Sequence, residues 1–243
     1  MDPSLRAPSS AWRIVAQGDR TLLVLLGTHI DTAIGQRCIA AATALRAAEI
    51  EGITDIVPTF NAVAVHYQPR AFGANIHFKH LATEIDELLS NALIDHSQAV
   101  ASRQVEIPVC YGGEYGPDLS DVAAHCRLSE AEVIQLHSAT PLYVFMLGFA
   151  PGAPYLGMHD ERLAIPRRST PRTAVPAGSV AMANRQSTIY PNRLPGGWHL
   201  IGASPVKLFD ARHEPPTLLT PGDSVSFVPI SKVEFEAMQK DQA

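Results

Sequence analysis

Gly148-Phe149-Ala150-Pro151-Gly152-Ala153-Pro154-Tyr155-Leu156-Gly157 packs three glycines and two prolines around two aromatic residues. The same texture continues downstream, and residues 141–221 hold 12 of the 19 prolines. Proline removes a backbone donor and clashes with the preceding helical turn, so long helices are excluded here. Short alternating segments such as Val225-Ser226-Phe227 lie between the turn signals. The pattern predicts short strands and long shaped loops in a closed β structure.

Upstream of this stretch the periodicity changes. Arg13–Ala16 and Thr21–Leu25 flank Gly18-Asp19 as a hairpin. Ile34, Cys38, Ala41, Ala42 and Leu45 recur at helical spacing, which predicts a helix over Asp31–Glu49, capped by Asp31 or Thr32 and closed near Gly52. Ile53–Val57 and Ala62–His66 form a second hairpin pattern, and a helix is predicted from about Asn75 to Asp95, with Ile76, Leu81, Ile85, Leu88 and Leu89 on one face. Strand, strand, helix, strand, strand, helix is the order of an antiparallel sheet covered by two helices. A polar seam at Asp95–Gln104 ends this unit. The strand Val105–Tyr111 follows, then a glycine-punctuated loop and short helices at Leu119–Cys126 and Ser129–Ser138. The expected class is α+β, with domains at 1–102 and 103–243.

Composition narrows the function. The 243 residues suit one to two domains with a real core, and 46% hydrophobic with 18% charged residues is ordinary for a globular chain. A net charge of -5 excludes a general nucleic-acid binder. The start Met1-Asp2-Pro3-Ser4-Leu5-Arg6 lacks a signal-peptide core, and Leu22–Leu26 and Leu142–Ala150 are too short to span a bilayer. Cys38, Cys110 and Cys126 form no CxxC pair, which predicts reduced thiols and a cytoplasmic location.

Charge is unevenly placed. From Arg162 through Phe209 there is no acid, but there are Arg162, Arg167, Arg168, Arg172, Arg185, Arg193 and Lys207. Such a block builds a positive surface for carboxylate or phosphate, or else its arginines pair with acids from elsewhere in the fold.

Several enzyme signatures are missing. There is no P-loop, and only Lys79, Lys207, Lys232 and Lys240 are lysines; Gly-x-Ser-x-Gly and His-Glu-x-x-His are also absent. His77 and His80 share a helix face without a third ligand, so no metal site is predicted. Asp118–Ser138 has helix-turn-helix spacing, but its second helix carries Glu130 and Glu132 where phosphate contacts need bases. His137 fits a hydrogen-bonded structural histidine, and it is also the natural proton carrier if one is needed. The 148–157 loop fits a tight structural turn as well as an anion cradle. Pro195-Gly196-Gly197-Trp198 repeats the theme with an indole able to stack on a planar ligand.

The residues also resemble a known family. His137 with Tyr143-Val144, the 148–157 loop, Pro166-Arg167-Arg168-x-x-Pro171-Arg172, Val175-Pro176-Ala177-Gly178-Ser179-Val180 and Gln186 with Ile189-Tyr190-Pro191 form one chain of motifs. It continues through Pro195-Gly196-Gly197-Trp198-x-Leu200-Ile201-Gly202 to Pro221-Gly222-Asp223-x-Val225-x-Phe227. The chain is similar to the family of 5-oxoprolinase B subunits (PxpB), also called KipI-like or allophanate hydrolase subunit 1, over nearly its whole length. Ala150, Ala153, Asn184-Arg185 and Ser204 depart from that family's usual residues.

The resemblance implies a small N-terminal α/β sandwich followed by a cyclophilin-like β-barrel. It implies one component of a hydrolase that opens 5-oxoproline to L-glutamate with ATP. The implied partners are the A subunit and the KipA-like C subunit of the 5-oxoprolinase, with Mg as an optional companion of the nucleotide. Relatives serve as the carboxyltransferase part of biotin-dependent urea carboxylase, where biotin comes from a partner, or as histidine kinase inhibitors. These stand as alternatives. On this reading the substrate is a small anion. His137 carries a proton and Arg172 holds an anion as catalytic groups. Ligand contacts are expected from Gly148, Phe149, Pro151, Gly152, Tyr155 and Arg167, from Gly178, Ser179, Gln186 and Tyr190, and from Gly196, Gly197 and Trp198.

Overall fold

The computed structural model describes residues 11–72, 78–93 and 102–241. The chain divides into two compact units, Met1–Ala101 and Ser102–Ala243. No helix among the described residues is long and apolar enough to cross a membrane.

In the first unit β1 (Arg13–Ala16), β2 (Thr21–Leu25), β3 (Ile53–Pro58) and β4 (Ala62–Tyr67) form an antiparallel sheet in the order β1-β2-β4-β3. Strand alternation sends Leu22, Val24, Val63 and Val65 to the side on which α1 (Thr32–Ala47) and α2 (Phe78–Ala92) pack. The packed face of α1 is built of small residues, Gly35, Cys38, Ala41 and Ala42, with Leu45 at its end. Asp31 caps it by accepting from the amides of Ala33 (2.8 Å) and Ile34 (3.3 Å). The helix ends two residues before the expected Glu49, which adopts a left-handed φ of 46°. On α2, Leu81, Ile85 and Leu89 make the buried stripe. Asn75, Ile76, His77 and the segment from Asp95 to Ala101 lie outside the described residues.

The second unit is a closed barrel. Its strands are β5 (Gln104–Tyr111), β6 (Leu142–Leu147), β7 (Pro154–Gly157), β9 (Ser179–Ala183), β10 (Gln186–Ile189), β12 (His199–Ala203) and β13 (Ser224–Pro229). They run round in the order β10-β7-β6-β13-β5-β12-β9, and β5 with β13 is the parallel pair. Two further strands, β8 (Arg172–Val175) and β11 (Leu194–Gly196), pair with each other as a separate ribbon. Before β6 come α3 (Leu119–Cys126) and α4 (Glu130–Ser138). The acids of α4 serve its own end, since Ser129 and Glu132 form a capping box.

Strand alternation gives the barrel two apolar faces. Val180 and Met182 of β9 and Ile201 of β12 join the interior core with Val144, Leu156 and Ile189. Ala181, Ala183 and Leu200 point the other way, against Val175, Tyr190 and Trp198. The β9–β10 hairpin turns on Asn184 (φ 52°) and Arg185 (φ 64°), the paired left-handed residues of a type I′ turn. The sequence pattern predicts no element after Val225–Phe227, whereas the structure adds α5 (Lys232–Asp241). Its signal is the box Ser231-x-x-Glu234, whose two reciprocal backbone bonds are formed at 2.7 and 3.3 Å. Phe235 then anchors the helix on Cys110 and Ala203. All three cysteines are free, and burial raises each thiol, that of Cys38 to about 12.

Candidate functional site

The second apolar face of the barrel does not end in a flat surface. Gly148, Phe149, Ala153, Tyr155, Arg167, Pro171, Thr188, Ile189, Tyr190, Pro195, Gly196, Gly197 and Trp198 enclose a cleft of about 250 Å³. Trp198 is its floor and is 6% exposed. The Tyr155 ring stands edge-on to the indole, centroids 6.2 Å apart and planes at 76°. The Arg167 guanidinium carbon lies 5.6 Å from the indole centroid, a cation–π contact that leaves the fork's N–H groups for an anion. Burial holds the Tyr190 phenol above the ordinary tyrosine range, so it is a neutral hydrogen-bonding group.

Glycine is required at the ribbon. A Cβ on Gly196 would stand 2.2 Å from the Tyr190 hydroxyl oxygen. At the rim Phe149 is 66% exposed on a left-handed backbone with φ 71°.

Eight of the expected ligand residues meet here: Gly148, Phe149, Tyr155, Arg167, Tyr190, Gly196, Gly197 and Trp198. Five do not line the cleft. Pro151 is exposed beside it in sequence, and Gly152 (φ 79°) packs its backbone on Leu208 and Phe209. Gly178 (φ 79°) lets the chain pass the Ser204 carbonyl, where a Cβ would come within 2.4 Å. Ser179 is buried in β9, and Gln186 is buried in β10 with its amide nitrogen unbonded. Ala153, Pro171, Ile189 and Pro195, which belong to the quoted motifs, also line the cleft, and so does Thr188, whose position follows from strand alternation once β10 is placed.

The two expected catalytic side chains, Arg172 and His137, do not line the cleft. Arg172 donates Nη1 and Nη2 to Asp118 at 2.8 and 2.7 Å, and Arg168 donates to the same carboxylate at 3.0 Å. The Leu200 amide adds a fourth bond at 2.7 Å. Burial pushes the Asp118 carboxyl upward, but the bonds from Arg172 and Leu200 and the two positive charges outweigh it and hold the group below the usual carboxylate range. This ion pair ties the start of α3 to β8 and β12.

His137 is wholly buried in the barrel interior. Its Nδ1 is 2.8 Å from the Tyr111 hydroxyl, and its Nε2 is 2.9 Å from Ser187 Oγ, which lies 2.7 Å from His159 Nε2. The two imidazoles stack at 4.6 Å, and Phe227 covers His137 at 4.5 Å. Burial, then the mutual charge, pushes His137 well below its ordinary value; burial and Arg185 bring His159 to about 4. Both rings are neutral near pH 7, and Tyr111, His137, Ser187 and His159 form one hydrogen-bonded chain. His159 had no signal in the sequence.

The cationic block divides in a similar way. Arg162 pairs with Asp160, Lys207 with Asp210, and Arg185 Nε donates to the His159 carbonyl at 2.9 Å. The arginine-rich surface read from composition is therefore mostly internal pairing, and Arg167 is the member that lines the cleft. No three His, Cys, Asp or Glu side chains gather in a metal-holding group among the described residues.

Residues 12–219 match the family of the carboxyltransferase domain, subdomain C and D. The 5-oxoprolinase B subunit of Bacillus subtilis (strain 168) is 39% identical over 95% of this chain and 98% of that protein. The crystal structure of TTHA0988 superposes with a TM-score of 0.74 at 35% identity, covering 88% of this chain and 40% of that longer one. The Kluyveromyces lactis urea carboxylase shares the fold, with a TM-score of 0.78 at 20% identity over 98% of this chain and 23% of that one. With residues 12–219 matching the family model and 39% identity over nearly the full length of a curated relative, this chain belongs to the family of 5-oxoprolinase B subunits.

Proposed function

We propose that the chain is the B subunit of a cytoplasmic, ATP-dependent 5-oxoprolinase that works with the A and C subunits to convert 5-oxoproline to L-glutamate. The observation that carries this reading is the 39% identity to a 5-oxoprolinase B subunit over 95% of the chain. The cleft agrees with it. Ligand pockets run from about 300 to 1,000 Å³, so 250 Å³ suits a five-membered lactam acid better than a whole nucleotide. A flat ring fits against Trp198 between Tyr155 and Tyr190, and a ring carboxylate within reach of Arg167 gains a charge-assisted bond.

The chemistry explains why ATP is consumed. A lactam is a resonance-stabilised amide, and phosphorylation of its carbonyl oxygen makes the ring carbon electrophilic enough for water. Water adds there, the C–N bond breaks with the nitrogen taking a proton, and hydrolysis of the acyl phosphate so formed releases inorganic phosphate and leaves L-glutamate. In this reading the present chain binds and orients the ring, while nucleotide and proton transfer are completed by the partner subunits. Phe149, exposed at the rim, is the point at which a second chain would close the cleft. The test is ATP consumption by the reconstituted complex. It should require 5-oxoproline and this chain together; ATP turnover indifferent to either would refute the reading.

A further inference from the structure

Among the described residues that line the cleft, Thr188 carries the one aliphatic hydroxyl. Its neighbours in β10 fix the way its side chain points. Ser187 bonds to His137 in the barrel interior, and Ile189 belongs to the interior core. Side chains alternate along a strand, so Thr188 faces the opposite side. There it pairs with Ala181 of β9, which packs with Tyr190 and Trp198 on the cleft face. On its other flank the pairing of Ser187 with Leu156 sets it beside Tyr155 of β7. Thr188 is 9% exposed, and its hydroxyl bonds to no described residue yet is not closed off from solvent.

Most other polar groups of the wall are donors. Arg167 and the Trp198 indole only donate. The Tyr190 oxygen already accepts from the backbone amide of Trp198, which leaves its O–H to donate. Among the described residues, no side chain that lines the cleft is a carboxylate, an amide or an imidazole. Such a wall suits the carboxylate and the carbonyl of a lactam acid, which only accept. The ring N–H is the group still to be satisfied, and a donor buried without a partner loses affinity.

We propose that Thr188 is a specificity-determining residue that accepts the ring N–H of 5-oxoproline and so selects a lactam over the corresponding lactone. The assignment rests on the oxoprolinase reading and adds the group by which a cyclic amide is told from a cyclic ester. A site that bonds a substrate N–H discriminates against the ligand that lacks it. Threonine suits the task because its branched side chain is stiff at χ1.

Calorimetric titration of the reconstituted complex with 5-oxoproline and with 5-oxotetrahydrofuran-2-carboxylate, in which oxygen replaces the ring N–H, tests it. The wild type should bind the lactam about tenfold tighter. Thr188→Val keeps the branched shape without the hydroxyl. It should weaken the lactam about tenfold, leave the lactone nearly unchanged and so abolish the preference. An unchanged melting temperature checks that the variant is folded, and Thr188→Ser should restore the preference. Tyr155→Phe, which removes the neighbouring hydroxyl, should keep it. Equal binding of lactam and lactone by the wild type, a Thr188→Val complex that keeps the preference, or a Tyr155→Phe complex that loses it would overturn the assignment. The oxoprolinase reading would survive each of these as long as ATP consumption by the wild type requires 5-oxoproline. ATP consumption indifferent to 5-oxoproline would refute the reading and the assignment together.

Discussion

Asp118, 3% exposed, accepts both terminal nitrogens of Arg172, at 2.8 and 2.7 Å, and so withdraws from the cleft a guanidinium that the sequence pattern offers as an anion holder. The pair decides what an Arg172 mutation reports. Removing one partner of a buried ion pair costs about 3–5 kcal/mol. Asp118→Ala strands Arg172, Arg168 and the Leu200 amide, so it should show a loss of that order in chemical denaturation of the chain. Arg172→Ala leaves Asp118 two other donors and should cost about 1–3 kcal/mol. Full stability in Arg172→Ala with turnover abolished would return the residue to a catalytic role.

Arg167 behaves differently because it is exposed and pairs with no carboxylate among the described residues. Arg167→Ala should leave the melting temperature nearly unchanged while raising KM for 5-oxoproline about tenfold or more, the value of a charge-assisted bond. Arg167→Lys should recover only part of the loss, because an ammonium replaces neither the fork nor its stacking on Trp198. Steady-state kinetics of the reconstituted complex measures both.

The Gly196–Tyr190 contact makes a steric prediction. A Cβ at Gly196 meets the Tyr190 hydroxyl oxygen at 2.2 Å and the ring carbon beneath it at 2.7 Å, so Gly196→Ala must displace the ring. Overpacking of this kind costs about 1–3 kcal/mol, and the cleft should lose its ligand affinity. Adding Tyr190→Phe should recover part of the stability but not all of it, since the ring carbons stay too close. A thermal melt of the double variant that matched Gly196→Ala alone would count against this contact.

The buried histidines predict acid sensitivity. Both are neutral in the folded chain, His159 with its value lowered to about 4 and His137 well below 6.5, whereas in the unfolded chain each titrates near 6.5. Below pH 6.5 the unfolded state binds more protons, so stability falls as pH drops from about 6.5 toward 4, by up to about 1.4 kcal/mol per pH unit for each ring. Urea denaturation across that range should show the decline, and His159→Asn should flatten it. A flat profile in the wild-type chain would contradict the buried neutral pair.

Much of the molecule was legible from local pattern. The hairpins, α1, α3 and α4 follow from periodicity and caps such as Asp31 and Ser129, and the proline-rich second half announced short strands. Those signals are local because backbone hydrogen bonding and side-chain alternation act over a few residues. The aromatic cleft was half legible: glycine and tryptophan at Pro195–Trp198 declared a close approach, while Thr188 and Pro171 joined only when β10 and the β8–β11 ribbon were placed. What periodicity cannot supply is the partner of a charge. Asp118 meets Arg172 across a sequence separation of 54 residues, and His137 meets Ser187 across 50. Composition left open whether those arginines form a surface or pair with distant acids; barrel closure brought Asp118 to Arg168 and Arg172 and buried the imidazoles. Ion pairing and desolvation depend on distances in space, and these are set by how the strands close.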